Sequence, residues 1–150
     1  MVNEIISAKG LVSFKLVDEN GNVKLEESSN IVVNLGKQFI ATRMIGTAQA
    51  VMTHMGVGTG TTAAAAADSA LVTEIGTRQT VTATSVTTTV TNDAVQYVAT
   101  FGAGVATGAL TEAGVFNAST AGTMLCRTVY SVINKGANDS LTITWKITIA

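Results

Sequence analysis

Histidine, cysteine and carboxylate side chains are the groups in this 150-residue chain that could support catalysis or bind a metal. The chain has one histidine, His54, which stands between two methionines in an apolar strand pattern. General bases and multi-His metal sites most often use histidine, so this context favours a packing role. The one cysteine, Cys126, also lies in an apolar pattern and allows no internal disulfide. Because neither residue is flanked by a nucleophile turn, no Cys–His dyad is expected.

Four carboxylates, Asp68, Glu74, Glu112 and Asp139, lie in or beside predicted loops, and any two could form a pair of the kind that glycosidases use. Asp68 is expected to cap a single helical turn. We expect Glu112 to form a cross-strand pair with Arg127 near a sheet edge, contributing roughly 0.2–1 kcal/mol if exposed. No catalytic role is predicted for any of the four.

Two loop-like segments invite a ligand interpretation. Asp18, Asn20 and Asn22 alternate as in a calcium loop, but Ser29 occupies the twelfth position, where a bidentate Glu is required. Residues 56–60 (GVGTG) suggest a phosphate loop, but no Gly-Lys-Ser/Thr follows them. A hairpin turn is the preferred interpretation of the first segment, and a flexible loop after a buried strand is preferred for the second. The sequence therefore predicts no catalytic, metal-binding or cofactor-binding residues, and no cofactor.

Composition limits the classes of partner. The length predicts one domain over residues 1–150, with an N-terminal arm over residues 1–9. Nine basic and ten acidic residues give a net charge of −1, which argues against nucleic acid binding. The chain contains no run of about 20 apolar residues that could cross a membrane, and no signal segment, so synthesis in the cytoplasm of the producing cell is expected.

Charged residues make up only 13% of the chain, whereas hydrophobic residues make up 47%. A surface with so few charges suits a subunit that buries its outside against neighbours, because few ions are desolvated on contact. The alternative is a stable, secreted or mesophilic β-domain whose weakly charged surface has no particular role.

Alternation of apolar and polar residues marks the first and last strands. Val12, Phe14 and Leu16 alternate as a core-facing set, and Asn20-Gly21 then favours a type I′ hairpin turn. At the other end of the chain, residues 141–149 alternate throughout, as in a half-buried strand.

One helix and one long hairpin are predicted between these strands. The helix spans residues 34–46, begins at Asn34 as its cap and ends at Gly46. Its predicted core-facing residues are Leu35, Phe39, Ile40 and Met44. Residues 79–101 are rich in Thr and Val and predict a long antiparallel hairpin with its turn at 91–94.

These elements predict an all-β domain with one short helix and roughly seven or eight strands. The predicted architecture is an antiparallel β-sandwich of Greek-key or jelly-roll type.

Residues 110–117 (LTEAGVFN), 123–130 (TMLCRTVY) and 141–149 (LTITWKITI) form a three-strand pattern that resembles a module of tailed-phage virion proteins, including tail-collar and short tail-fibre families. Residues 52–62 (MTHMGVGTGTT) and 68–75 (DSALVTEI) are similar to a run in small phage structural proteins. The similar stretches cover roughly residues 50–149.

The resemblance implies a non-enzymatic structural protein of a virion, with other virion proteins as partners and a homo-oligomer as the assembly. Because one 150-residue domain leaves no room for a repeat-rich shaft, capsid decoration through multivalent contacts is preferred. A tail, collar or short tail-fibre component is the alternative, and a carbohydrate-binding host-recognition module the second alternative. The neutral segments 1–9, 58–62 (GTGTT) and 79–101 are expected to contact neighbours.

Overall fold

The computed structural model describes residues 2–47 and 49–150, and within these ranges the chain forms ten strands and one helix. The strands are β1 (Ala8–Val17), β2 (Val23–Ser29), β3 (Ile31–Val32), β4 (His54–Gly58), β5 (Glu74–Thr80), β6 (Thr82–Val86), β7 (Ala94–Phe101), β8 (Gly108–Phe116), β9 (Met124–Lys135) and β10 (Ser140–Ile149). The helix, α1, spans Asn34–Arg43.

The strands form two five-stranded sheets in which every pairing is antiparallel. Sheet I has the order β2-β1-β10-β7-β6, and sheet II the order β3-β9-β8-β4-β5. The predicted all-β antiparallel sandwich is confirmed. The strand number was underestimated because short β3 and the break between β5 and β6 leave no clear signal in the sequence.

The main core contains side chains from both sheets. Val12, Phe14 and Leu16 of β1 are buried, as their alternation predicted, and β10 contributes Trp145, which is fully buried. Strands β1 and β10 pair along their whole lengths, from Ala8 opposite Ile149 to Val17 opposite Ser140. This pairing places residues 8 and 9 of the predicted N-terminal arm inside the sheet; residue 1 of that arm lies outside the described residues.

The predicted long hairpin over residues 79–101 is only partly correct. Strand β5 pairs with β4 in sheet II, whereas β6 forms a hairpin with β7 in sheet I. The chain changes sheets at Val81, whose N–H donates a 2.9 Å hydrogen bond to the carbonyl of Thr53. Strands that bend in this way form the corners of sandwiches. An unbroken Thr/Val pattern does not reveal the bend, since both halves favour extended backbone.

The first turn differs from the predicted type I′ geometry. Only Gly21 of the Asn20-Gly21 pair has a positive φ, of 83°. The Asp18 carboxylate accepts hydrogen bonds from the backbone N–H groups of Asn20 and Asn22, both at 2.9 Å. These bonds favour a three-residue turn closed by glycine. They also hold the pKa of Asp18 below its usual value, together with the hydrogen bond from the Asn22 side chain, which has the largest effect.

Helix α1 is shorter than predicted, and of its four predicted core-facing residues only Phe39 and Ile40 pack against the main core. It follows Val33, with no side-chain cap at its start, and ends at Arg43 rather than at Gly46. Phe39 is buried, whereas Met44 is 84% exposed and Leu35 is 37% exposed. A Cβ atom at Gly36 would overlap the backbone carbonyl of β9, so the missing side chain lets the helix approach the sheet closely. This contact turns the Gly36–Phe39 side inward.

Candidate functional site

A long segment, residues 59–73, connects β4 to β5 and lies against β8 and β9, two neighbouring interior strands of sheet II. Beside it is a second apolar cluster, separate from the main core, formed by Val33, Leu71, Phe116 and Met124. Gly114 of β8 is closely approached by Leu71 of the segment. We call residues 59–73 the covering loop.

Glu112 of β8 fixes the covering loop from beneath. Its side chain is fully buried, and its carboxylate accepts backbone hydrogen bonds from Gly60 at 3.1 Å, Val72 at 3.0 Å and Thr73 at 2.7 Å. The neighbouring Thr111 hydroxyl donates to the Gly60 carbonyl at 2.9 Å. Both ends of the loop are therefore bound to one side chain.

Arg127 of β9 completes the network. Its Nε and Nη2 donate to Glu112 Oε2 at 3.0 and 2.8 Å, and its Nη1 donates to Asp68 at 2.7 Å. Nη2 also donates to the Thr62 carbonyl at 3.0 Å. The guanidinium is fully buried. Two carboxylates and a backbone carbonyl surround its desolvated positive charge.

Both carboxylates of the network keep their charge. Burial raises the pKa of Glu112, but the hydrogen bonds from Thr73 and Val72 and the adjacent Arg127 outweigh it, so the pKa lies below its usual value. Burial also raises the pKa of Asp68, and the Ala65 N–H and Arg127 together bring it below its usual value.

The Glu112–Arg127 pair is confirmed, but its predicted position near a sheet edge was wrong. Strands β8 and β9 are neighbours in the interior of sheet II, and the covering loop removes the pair from solvent. Both Glu112 oxygens accept at least two hydrogen bonds, which saturates the carboxylate. The group holds a loop in place and presents no free oxygen to a substrate.

The other carboxylate predictions have mixed outcomes. Asp68 does not cap a helical turn; it closes a non-helical turn through the Ala65 N–H at 2.8 Å and pairs with Arg127. Glu74 accepts two hydrogen bonds from Arg78, at 2.6 and 3.0 Å. Asp139 accepts a hydrogen bond from the N–H of the nearby Gly136 at 2.6 Å. Each of these acids thus serves a turn or an ion pair.

His54 and Cys126 occupy the packing positions that their sequence context predicted. His54 Nδ1 lies 2.8 Å from the Thr53 hydroxyl, and the residue is half-buried. Cys126 is fully buried, and burial raises the pKa of its thiol well above the usual value. A thiol in this environment stays protonated, so it is not an activated nucleophile.

The GVGTG segment also has a structural place. Its first three residues belong to β4, and Gly60 is held through both its N–H and its carbonyl. A Cβ atom at Gly58 or Gly60 would clash with Glu112, so these glycines make room for the buried carboxylate. The segment is therefore bound to the network rather than free.

Two of the concave regions on the surface of the described residues are relevant to function. One, of about 400 Å³, lies beside the network and is lined by Asn30, Thr61, Arg127 and their neighbours. The other, of about 660 Å³, is an apolar groove between α1 and the paired ends of the chain. Its lining residues are Ile6, Ser7, Ala8, Val32, Lys37, Ile40, Ala41, Met44 and Ile149.

The sequence did not predict the apolar groove. The available signals were Ile5 and Ile6 in a polar segment and Met44 at the end of the helix, but Met44 was assigned to the core. In the structure Ile6 is 74% exposed and Ile149 42% exposed. This end of the sandwich therefore has unburied apolar surface.

Aromatic side chains do not form a surface platform. The chain has four Phe, two Tyr and one Trp. Six of these rings are buried, and Tyr130 is half-buried, its ring centroid 4.1 Å from that of Phe14. Burial raises the pKa of Tyr97 to about 12. The carbohydrate-binding alternative requires exposed rings on which a sugar can stack. The burial of these rings does not support it.

Residues 2–47 and 49–150 contain neither a metal-binding cluster nor a membrane-spanning helix. In these ranges no three His, Cys, Asp or Glu side chains come together in a group that could hold a metal ion. Within the same part of the chain, no helix has the length and apolarity required to cross a membrane.

Comparison of the chain with protein-family models, with curated proteins and with solved structures found no match in any of the three. The resemblance of residues 50–149 to tailed-phage virion modules therefore remains a prediction. The structure establishes an antiparallel β-sandwich with a buried ionic network and an exposed apolar groove.

Proposed function

We propose that this protein is a non-enzymatic structural subunit of a tailed-phage virion that decorates or cements the capsid through multivalent protein contacts. The observation that carries the proposal is the clustering of exposed apolar side chains at one end of the sandwich. Ile6, Met44 and Ile149 line the same groove, and Ile5 and Ile45 adjoin them in the sequence. Exposed apolar patches of this kind are typical of protein interaction sites.

The distribution of charge supports the same proposal. Glu112, Arg127 and Lys135 are buried, so the surface carries even fewer charges than the sequence suggests. A neutral surface can be buried against neighbours with little desolvation cost. Several weak contacts made at once then give durable attachment, because each bound contact raises the effective concentration of the next.

The chemistry of the described residues also supports a structural role. The Glu112–Arg127 pair is sealed beneath the covering loop, and its carboxylate is saturated with hydrogen bonds. Cys126 is buried and protonated, and His54 bonds its own neighbour Thr53. These groups hold the fold together, and the fold can then present a rigid surface to partners.

The test is co-sedimentation of the purified protein with empty capsid shells and, separately, with isolated tails. Capsid decoration predicts saturable binding to shells that weakens when Met44 is changed to Ser. The matched control is Leu25→Ser, since Leu25 is 70% exposed on the edge strand β2, away from the groove lining. Binding to tails alone would reassign the subunit to a tail, collar or short tail fibre. Binding to neither would refute the virion role.

A further inference from the structure

The N-terminal segment, residues 2–6, leaves most of its apolar side-chain surface exposed. Val2 is 93% exposed, Ile5 77% and Ile6 74%. Within residues 2–47 and 49–150, Ser7 makes the first backbone hydrogen bond from this end of the chain, with Ala150. Exposing three large apolar side chains in five residues is costly in water, since each is worth about 1.5–3 kcal/mol when fully buried.

The apolar groove begins where this segment leaves the domain. Ser7 and Ala150 exchange two backbone hydrogen bonds, which fix the exit point. Ile6 forms part of the groove wall, and a smaller hollow of about 220 Å³ continues the groove past Ile40 and Ile149. Val2 and Ile5 nevertheless stay exposed, so a chain's own segment does not fill its groove.

The charges of the segment and of the groove are opposite. Glu4 is the one charged residue among residues 2–6, whereas Lys37 and Arg43 line the two hollows. Among the four ion pairs formed by the described residues, none uses Glu4, Lys37 or Arg43. An acidic apolar segment therefore complements a basic apolar groove in both chemistry and sign.

We propose that residues 2–5 of one copy of this chain dock in the apolar groove of a second copy, where that copy's own Ile6 forms part of the wall. The inference deepens the proposed function and rests on it, because the resemblance to virion proteins implies a homo-oligomer. Val2 and Ile5 supply apolar contact to Ile40 and Ile149, and Glu4 approaches the basic side chains at the groove. Reciprocal exchange closes a symmetric dimer, whereas head-to-tail exchange forms a ring where the rotation closes and an open filament where it does not.

Engineered cysteines identify the occupant of the groove. Copies carrying Ile5→Cys are mixed with copies carrying Met44→Cys under mild oxidation, and the native Cys126 is fully buried and does not compete. The expected product is a disulfide-linked pair containing one copy of each. The matched control replaces Met44→Cys with Leu25→Cys, which lies outside the groove and should yield several-fold less product. A chain carrying both Ile5→Cys and Met44→Cys that closes on itself as a monomer would overturn the proposal.

Charge reversal tests the electrostatic part. Either Glu4→Lys alone or the pair Lys37→Glu and Arg43→Glu should weaken self-association. The dissociation constant of the assembly, measured by light scattering across concentration, should rise about two- to fivefold. The three changes combined should restore it. Ile5→Ser should raise it by about tenfold or more, because the removed contact is apolar. A dissociation constant unchanged by all of these variants would overturn the proposal.

Failure of this inference and failure of the virion role are distinguishable. Self-association through the segment, without binding to shells or tails, would leave the inference standing and remove the virion role. Binding to shells or tails by a protein that stays monomeric at every concentration would overturn the inference and leave the virion role standing. It would also indicate that another virion protein occupies the groove.

Discussion

Replacing Glu112 with Gln should destabilise the fold far more than an ordinary Glu→Gln change. The two Glu112 oxygens accept three backbone hydrogen bonds and two from the Arg127 guanidinium. Glutamine has one acceptor and one donor group, so in either orientation of the amide at least two donors lose their acceptor. The buried guanidinium also loses one of its two carboxylate partners.

The expected cost is about 3–5 kcal/mol. An unsatisfied buried hydrogen-bonding group costs about 1–3 kcal/mol, and breaking a buried ion pair from one side costs about 3–5 kcal/mol. Because 1 kcal/mol shifts the melting temperature of a 150-residue domain by about 2–4 °C, the melting temperature should fall by about 6–20 °C. The matched control is Glu26→Gln, because Glu26 Oε1 lies 3.8 Å from Lys24 Nζ in an ion pair on the surface. The free energy of unfolding of this variant should change by less than about 1 kcal/mol.

Urea unfolding followed by tryptophan fluorescence measures the difference, since Trp145 is buried in the main core. Hydrogen exchange should show lost protection at the amides of Val72 and Thr73, whose acceptor is altered. A change below about 1 kcal/mol for Glu112→Gln, equal to that of Glu26→Gln, would refute the assignment of the network as the anchor of the covering loop.

The same carboxylate should make the fold sensitive to acid. Its folded-state pKa lies below the usual value of 4.5, so the unfolded chain takes up a proton at a higher pH than the folded chain does. The stabilisation is therefore fully present above about pH 4.5 and is lost as the pH falls toward the folded-state pKa. Unfolding free energies measured from pH 6 to pH 3 should fall less steeply in Glu112→Gln than in the native protein. Equal slopes would contradict the linkage.

Three further results are expected. Gly36→Ala should cost about 1–3 kcal/mol in urea unfolding because its new methyl overlaps the backbone of β9, whereas Gly102→Ala, where a Cβ atom meets nothing within 4 Å, should be nearly neutral; equal effects would contradict the close helix approach. Cys126 should react with a thiol reagent only in denaturant, and rapid labelling of the native protein would show that it is accessible. Asn30→Ala should cost about 1–3 kcal/mol, since its oxygen accepts the Trp145 indole N–H at 3.1 Å, and an unchanged stability would show that water replaces that bond.

The sequence by itself determined the elements that repeat with a two-residue period. The alternation at Val12, Phe14 and Leu16, and along residues 141–147, predicted both the strands and their buried faces, because successive side chains of a strand point to opposite sides. The sequence also correctly brought Glu112 and Arg127 together, since the two residues lie on paired strands joined by residues 117–123.

Only the tertiary structure decided which of these surfaces are covered. The Glu112–Arg127 pair is buried because residues 59–73, distant in sequence and without a periodic pattern, fold across it. The helix face is turned by the absence of a side chain at Gly36, where the helix meets the carbonyl of β9, and Met44 is left in solvent as a result. Local periodicity encodes which side of an element is apolar, but burial depends on what packs there, and that is set by contacts between residues far apart in the chain.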